Sequence, residues 1–162
     1  MLDIEAILKA LSENEVDFVL VGGIAAVAHG SAYVTQDCDL CYARHDANLE
    51  RLTRALAPFH PRLRGAPEGL PFQLDGPTLR AGLNFTLTTD VGDIDLWGEL
   101  AGFSSYEEVV ENSETLELYG VDCRIMTLEG LIRAKRAVGR GKDLLLLHEL
   151  EALLALRQES ES

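Results

Sequence analysis

The fold of this chain is decided by the stretch FVLVGGIAAVAHGSAYVTQDCDL at residues 18–40. The short apolar run 18–21 predicts a buried strand, the glycine pair Gly22-Gly23 predicts a turn directly after it, and residues 24–29 predict a helix. Glycine lets the backbone approach a bound group closely, and a helix N-terminus offers free N–H donors to phosphate oxygens. The pattern therefore predicts a strand, a double glycine and a helix that together suit a phosphate group.

Two aspartates lie on the next predicted strand, over residues 35–42. Because side chains alternate between the two faces of a strand, Asp37 and Asp39 project from the same face. A third aspartate with apolar neighbours, Asp95, lies on a later predicted strand. Carboxylates that converge from neighbouring strands repel one another, and a hard cation such as Mg²⁺ normally neutralises such a cluster. The pattern predicts a magnesium site, with Asp93 on the same strand face as the alternative to Asp95.

The remaining patterns predict helices and hairpins around this centre. Apolar residues at helical spacing predict helices over 2–13, 46–57, 128–138 and 143–156. Residues rich in β-branched and aromatic side chains predict two β-hairpins, over 83–97 and 115–126. The stretch between Pro58 and Pro77 is rich in glycine and proline and predicts mostly loop.

At these residues the sequence resembles the nucleotidyltransferase fold of the DNA polymerase β superfamily. It is most similar to the small members grouped with minimal nucleotidyltransferases and with the AbiEii-type toxins of toxin–antitoxin systems. The resemblance covers nearly the whole chain and is carried by residues 18–23, 29–30, 35–40, 92–96 and 135–143. It implies one α/β (α+β) domain over 1–157, in which a mixed β-sheet has helices mainly on one side and a C-terminal helical segment. Residues 158–162 are expected to form a disordered tail.

The resemblance also implies an activity. A nucleoside monophosphate would move from a nucleoside triphosphate to an acceptor hydroxyl, and pyrophosphate would leave. Asp37 and Asp39 would bind both Mg²⁺ ions, whereas Asp95 would bind the ion that activates the acceptor and would take the proton of its hydroxyl. Asp93 is the competing candidate for that last role.

In the same resemblance, the Gly22-Gly23 backbone would hold the triphosphate, and Lys135, together with Arg140 or Lys142, would neutralise it from the helix near the end of the chain. Many relatives carry serine at the second glycine position and a basic residue two positions before the threonine of the T-x-D-x-D segment. This chain has Gly23 and Tyr33 at those positions. The second hypothesis is therefore a catalytically inactive nucleotide-binding or antitoxin-like regulatory protein.

The charge balance limits the class of partner. Fourteen Lys and Arg residues against 27 Asp and Glu residues give a formal net charge of −13. A surface this acidic repels a long polyanion, which excludes broad coating of nucleic acid. Five of the 14 basic residues nevertheless fall within ten positions: Arg133, Lys135, Arg136, Arg140 and Lys142. They predict either a local pocket for a polyphosphate or a solvated face that pairs with the many acids.

Composition is that of a folded, soluble protein, with 47% hydrophobic and 25% charged residues. Three cysteines cannot form a disulfide framework, and no apolar run is long enough to span a membrane, so a cytoplasmic location and no membrane partner are expected. The acceptor stays open between an RNA end, a protein side chain and a small hydroxyl compound. The leucine-rich final helix predicts a homo-oligomer or a partner protein.

Overall fold

The computed structural model describes residues 1–67, 69–139 and 144–161. Within these residues the strands are β1 (Phe18–Val21), β2 (Asp37–Tyr42), β3 (Arg62–Leu63), β4 (Asn84–Thr89), β5 (Gly92–Trp97), β6 (Ser113–Leu118) and β7 (Val121–Met126). The helices are α1 (Ile4–Glu13), α2 (Gly22–Ala28), α3 (Asp46–Leu56), α4 (Gly76–Ala81), α5 (Tyr106–Glu111), α6 (Leu128–Val138) and α7 (Leu144–Glu161). No helix in this part of the chain is both long and apolar enough to cross a lipid bilayer.

All the described strands belong to one mixed sheet in the order β3-β4-β5-β2-β1-β7-β6. The pairs β1–β7 and β2–β5 are parallel, and the other pairs are antiparallel. The predicted α/β fold with a mixed sheet and a C-terminal helical segment is confirmed. Both predicted hairpins are also present, as β4–β5 and β6–β7.

The core forms because the central strands are apolar on the face of the sheet opposite to the aspartates. Leu40 on β2 and Ile94 and Leu96 on β5 have no exposed surface, and all four residues of β1 are buried. Helix α1 adds Ile7, Leu8 and Leu11, which are also fully buried, and Asp3 caps it by accepting a hydrogen bond from the Ala6 N–H. Burial of the apolar faces thus fixes which face of the sheet carries the carboxylates.

Three local differences separate the structure from the predicted elements. Helix α2 begins at Gly22, two residues earlier than predicted. The stretch predicted as loop contains strand β3, which has two residues and pairs with β4. Helix α7 continues to Glu161, so residues 158–161, predicted as a disordered tail, are helical.

Helix α6 has the predicted bounds because both of its ends carry strong signals. The Thr127 hydroxyl accepts a hydrogen bond from the Gly130 N–H at 3.1 Å, which caps the N-terminus. At the other end Gly139 adopts φ +65, a left-handed conformation that glycine tolerates better than other residues. The helix packs against α2 and α7, which places its residues near the end of β1.

Candidate functional site

The site is built around a carboxylate cluster, which we define as Asp37, Asp39, Asp93 and Asp95. The parallel register of β2 and β5 pairs Asp37 with Asp93 and Asp39 with Asp95, so all four side chains project from one face of the sheet. Asp95 is buried, with 8% of its surface exposed, and the other three are partly buried. The structure therefore brings together the three aspartates predicted from the sequence, and it also places the alternative, Asp93, beside them.

Burial and mutual repulsion make this cluster electrostatically unfavourable. Burial, followed by the negative charge of Asp95, raises the pKa of Asp39 to about 7. Burial and the charge of Asp95 also raise the pKa of Asp37, although the nearby guanidinium of Arg64 acts in the opposite direction. The indole Nε1 of Trp97 donates a hydrogen bond to Asp39 Oδ1 at 3.2 Å, which favours the charged form of that carboxylate. Arg64 compensates only part of the negative charge of the four carboxylates.

Gly22 lies directly against the cluster. Its φ of +64 is in the left-handed region, and Val21, which precedes it, pairs with Asp39 across β1 and β2. A Cβ atom at position 22 would overlap Asp39 Oδ2 and would lie 2.8 Å from Asp39 Cγ. Only glycine satisfies both the backbone angle and this close approach, so the first residue of the predicted glycine pair sits at the site.

Gly23 has a different neighbour. A Cβ atom there would lie 2.7 Å from Thr35 Oγ1 and 2.9 Å from Thr35 Cβ. The Thr35 hydroxyl donates a hydrogen bond to the Asp37 carbonyl oxygen at 2.9 Å, which holds the threonine in that place. The space that a serine would need at position 23 is therefore filled by Thr35, and its hydroxyl lies beside the glycine pair instead.

Two cavities meet at these residues. A polar cavity of about 530 Å³ is lined by the glycine pair, by residues 33–37 and by Leu146. An apolar cavity of about 210 Å³ lies beside Trp97 and the inner side of α6. Gly22, Asp39 and Lys135 line both cavities. Lys135 is thus placed beside the cluster as predicted, whereas the predicted Lys142 lies outside the described residues.

The described members of the basic cluster near the end of the chain lie in two different surroundings. Arg133 pairs with Glu108 and donates to the Gly102 carbonyl oxygen at 2.7 Å. Arg136 pairs with Glu151 at 3.1 Å. These two arginines belong to an acid-paired surface, and of the described members Lys135 is the one that lines the cavities.

Arg64 was not among the predicted site residues. It follows the two-residue strand β3, and its Nη2 donates a hydrogen bond to Asp95 Oδ1 at 2.7 Å. Its Nε lies 3.3 Å from Asp93 Oδ2. The glycine- and proline-rich sequence around it carries no strand signal, so only the pairing of β3 with β4 could have located it.

The donor set fits a hard divalent cation, although the side chains are not preassembled around one. Carboxylate oxygens are the ligands that Mg²⁺ prefers, and a bound cation would offset the burial and the repulsion from Asp95 that raise the pKa of Asp39. Among the described residues, however, no three His, Cys, Asp or Glu side chains are placed to hold a metal ion together. One oxygen of Asp95 accepts a hydrogen bond from Arg64, and one oxygen of Asp39 accepts a hydrogen bond from Trp97.

Comparisons with known proteins agree with this architecture. A protein from Thermotoga maritima that was assigned as a nucleotidyltransferase shares 14% identity over 98% of this chain and 90% of its own, with a TM-score of 0.53. ANT(2")-Ia in complex with adenylyl-2"-tobramycin shares 16% identity over 98% of this chain and 97% of its own, with a TM-score of 0.55. At these identities the likeness concerns the fold, and the chain has the nucleotidyltransferase fold. No family model and no curated protein matches the sequence.

Proposed function

We propose that this protein is a magnesium-dependent nucleotidyltransferase that moves a nucleoside monophosphate from a nucleoside triphosphate to an acceptor hydroxyl and releases pyrophosphate. The observation that carries the proposal is the placement of Asp37, Asp39 and Asp95 on adjacent strands beside Gly22, within the nucleotidyltransferase fold. A partly buried cluster of this kind is unfavourable in a merely structural role, which favours a function that supplies the missing cation.

The cluster residues would divide the work of the reaction. Asp37 and Asp39 would hold the divalent cations, and Asp95 would bind the cation on the acceptor side and accept the proton of the acceptor hydroxyl. A bound Mg²⁺ polarises a phosphoryl group and lowers the pKa of a coordinated hydroxyl. Trp97 keeps the Asp39 carboxylate oriented through its hydrogen bond.

The cavities suggest where the parts of the nucleotide lie. The polar cavity suits the triphosphate, because it is lined by the Gly22-Gly23 backbone, by Thr35 and by Lys135. The apolar cavity beside Trp97 suits an uncharged part of a substrate, the base or the acceptor. Because Asp39 borders both cavities, the nucleoside monophosphate would pass from pyrophosphate to the acceptor hydroxyl where the two cavities meet. Lys142 would add positive charge to the triphosphate side.

The acceptor is best sought among small hydroxyl compounds. The net charge of −13 disfavours a long RNA, although an RNA end and a protein side chain satisfy the same chemistry. The adenylyl-2"-tobramycin bound by ANT(2")-Ia shows that this fold accommodates a small acceptor. A toxin–antitoxin context, a cytoplasmic location and assembly with a second copy or a partner protein stay predictions from the sequence.

The test is nucleotide binding followed by pyrophosphate release. Thermal unfolding is measured with each nucleoside triphosphate, with and without Mg²⁺, in the wild type and in Asp37→Asn. A ligand at about 100 times its Kd stabilises the folded state by about 2.7 kcal/mol, so a metal-dependent shift that Asp37→Asn loses supports the site. Asp122→Asn is the matched control, because Asp122 is an exposed aspartate on β7 and its substitution changes the net charge equally.

A measurement of pyrophosphate release then distinguishes an active transferase from a protein that only binds nucleotide. Release that depends on an acceptor from a panel of oligoribonucleotides, proteins and small hydroxyl compounds supports the transferase. Metal-dependent nucleotide binding without release in any of them would favour the inactive nucleotide-binding or regulatory protein. If neither Mg²⁺ nor any nucleotide shifts the unfolding of the wild type, the proposed site is wrong.

A further inference from the structure

Arg64 is in direct contact with two members of the carboxylate cluster. Its Nη2 donates hydrogen bonds to Asp95 Oδ1 at 2.7 Å and to the Leu87 carbonyl oxygen at 2.8 Å. Its Nε is close to Asp93 Oδ2 at 3.3 Å, but the N–H is not aligned with that oxygen. In the part of the chain that the structure describes, this Nε is the one buried side-chain nitrogen or oxygen without a hydrogen-bond partner. The guanidinium is therefore well placed for charge and incompletely satisfied in hydrogen bonding.

The sheet register explains how Arg64 reaches the cluster. The Arg64 backbone N–H donates to the Thr86 carbonyl oxygen at 3.0 Å, and Thr86 pairs with Asp95 across β4 and β5. Asp95 in turn pairs with Asp39. Arg64, Thr86, Asp95 and Asp39 thus form one row across four neighbouring chain segments, and the long arginine side chain extends over β4 to bond Asp95.

A guanidinium in this position competes with a metal ion. Asp95 Oδ1 points to Arg64. A divalent cation bound by the same carboxylate would be repelled by the positive charge of the guanidinium at short range. Arg64 and the cation have the same electrostatic effect, because each compensates the negative charge of the mostly buried Asp95. The absence of a preassembled group of three metal ligands among the described residues agrees with this competition.

We propose that Arg64 is an internal counter-ion, which bonds Asp95 in the metal-free protein and is displaced from it when a divalent cation binds. Arg64 then lowers the affinity for the cation and protects the fold in its absence. This inference rests on the proposed role of Asp95 as a metal ligand, and it adds a residue that positions that ligand.

The primary experiment measures Mn²⁺ binding by isothermal titration calorimetry in the wild type, Arg64→Gln and Arg62→Gln. Arg62 is the matched control, since it lies on β3 and its side chain pairs with Asp90, which is not a member of the cluster, at 3.3 Å. Both substitutions remove one positive charge. Arg64→Gln is expected to bind Mn²⁺ about tenfold more tightly, equivalent to about 1.4 kcal/mol, whereas Arg62→Gln binds as the wild type does.

A double substitution tests whether the gain acts through Asp95. Compared with Asp95→Asn alone, Arg64→Gln/Asp95→Asn should show no tenfold gain in Mn²⁺ affinity, because the carboxylate that loses its contact with Arg64 is no longer there. In EDTA, Arg64→Gln should unfold at a lower temperature than the wild type, and Mn²⁺ should raise its unfolding temperature more than it raises that of the wild type. A merely structural arginine would give the first change and not the second.

The wild type also provides a direct readout. The Arg64 Nε–H resonance should shift in a ¹H–¹⁵N spectrum when Mg²⁺ is added, and the Arg62 resonance should not. Should Arg64→Gln fail to fold, Arg64→Lys keeps the charge but is too short to span β4, and it should bind Mn²⁺ more tightly than the wild type.

The outcomes separate this inference from the proposed function. Equal or weaker Mn²⁺ binding in both Arg64 variants, with clear binding in the wild type, would overturn the role of Arg64 and leave the metal site standing. Binding in Arg64→Gln alone would support the inference in its strongest form. No binding in any protein would overturn both.

Discussion

Two rows of acidic residues cross the same sheet in this molecule, and only one of them forms a candidate site. Asp39 and Asp95 face each other across β2 and β5 at the centre of the sheet, and Asp95 is buried. Glu117 and Asp122 face each other across β6 and β7 at one edge, and both are exposed. In both rows the acids alternate with apolar residues, so alternation alone does not distinguish them.

The difference lies in what surrounds each row. The central row lies against Gly22 and borders two cavities, whereas the edge row faces solvent. Water screens charges in the edge row, but burial and repulsion raise the pKa of Asp39 in the central row. Strand order therefore decides which acids lie in a partly buried cluster, and substitutions in the two rows should have different effects.

The largest expected difference is in activity. Asp39→Asn should lower the rate of nucleotidyl transfer by at least about 1000-fold, which corresponds to about 4 kcal/mol of transition-state stabilisation, because one charged ligand of the cation is lost. Asp122→Asn should leave the rate within about twofold. The measurement is pyrophosphate release at saturating nucleotide with the identified acceptor. Comparable losses in both variants would mean that the central row has no special role.

The next difference is in the pH dependence of stability. Burial and the negative charge of Asp95 raise the pKa of Asp39 from 3.8 to about 7 in the folded protein. The folded state binds more protons between these values, so its stability falls as pH rises through this range. Asn cannot ionise, and in EDTA Asp39→Asn should be more stable than the wild type by several kcal/mol at pH 8, with little difference below pH 4, since one pH unit of pKa displacement corresponds to about 1.4 kcal/mol.

Urea unfolding at pH 4, 6 and 8 checks this expectation. Asp122→Asn, in the exposed row, should change the free energy of unfolding by less than about 0.5 kcal/mol at each pH. A flat difference between Asp39→Asn and the wild type over this range would show that Asp39 is not held in an unfavourable environment.

A pair of glycines gives a third comparison between the two regions. Gly22 at φ +64 lies against Asp39, and Gly120 at φ +77 lies in the β6–β7 turn with open space around it. Gly120→Ala should lower the free energy of unfolding by about 1 kcal/mol, from backbone strain alone. Gly22→Ala should lower it by about 3 kcal/mol, since overlap with the Asp39 carboxylate is added. Similar losses in chemical denaturation would argue that the close approach at Gly22 can relax.

Local patterns predicted most of the fold and the central part of the site. Strong signals located the buried strand β1, the glycine pair, the two aspartates of β2, both hairpins and helix α6 with its Thr127 cap. Their strength comes from interactions between residues close in sequence, which a pattern records. The pairing of β2 with β5 could be expected only through the resemblance, because their partner residues are 56 positions apart, from Asp39 to Asp95.

The position of Arg64 could not be predicted from such local sequence patterns. Its place depends on two residues of β3 pairing with β4, and on a side chain that crosses a strand to bond Asp95. Nothing local favours a strand in a glycine- and proline-rich stretch, so tertiary pairing alone creates it. The filling of the space at Gly23 by Thr35 is likewise a contact between segments that the sequence does not reveal.

The smallest expected effect concerns that contact. Gly23→Ser should lower the free energy of unfolding by about 1–2 kcal/mol, because the new side chain would overlap the Thr35 hydroxyl. Thr35→Ala in the same chain removes the Oγ1 atom and should recover part of this loss, whereas Thr35→Ala alone loses the hydrogen bond to the Asp37 carbonyl oxygen. The double-mutant cycle, measured by urea unfolding, should therefore give a favourable coupling of about 1 kcal/mol. Strict additivity would mean that position 23 has room for a side chain, and the absence of serine there would then have no packing explanation.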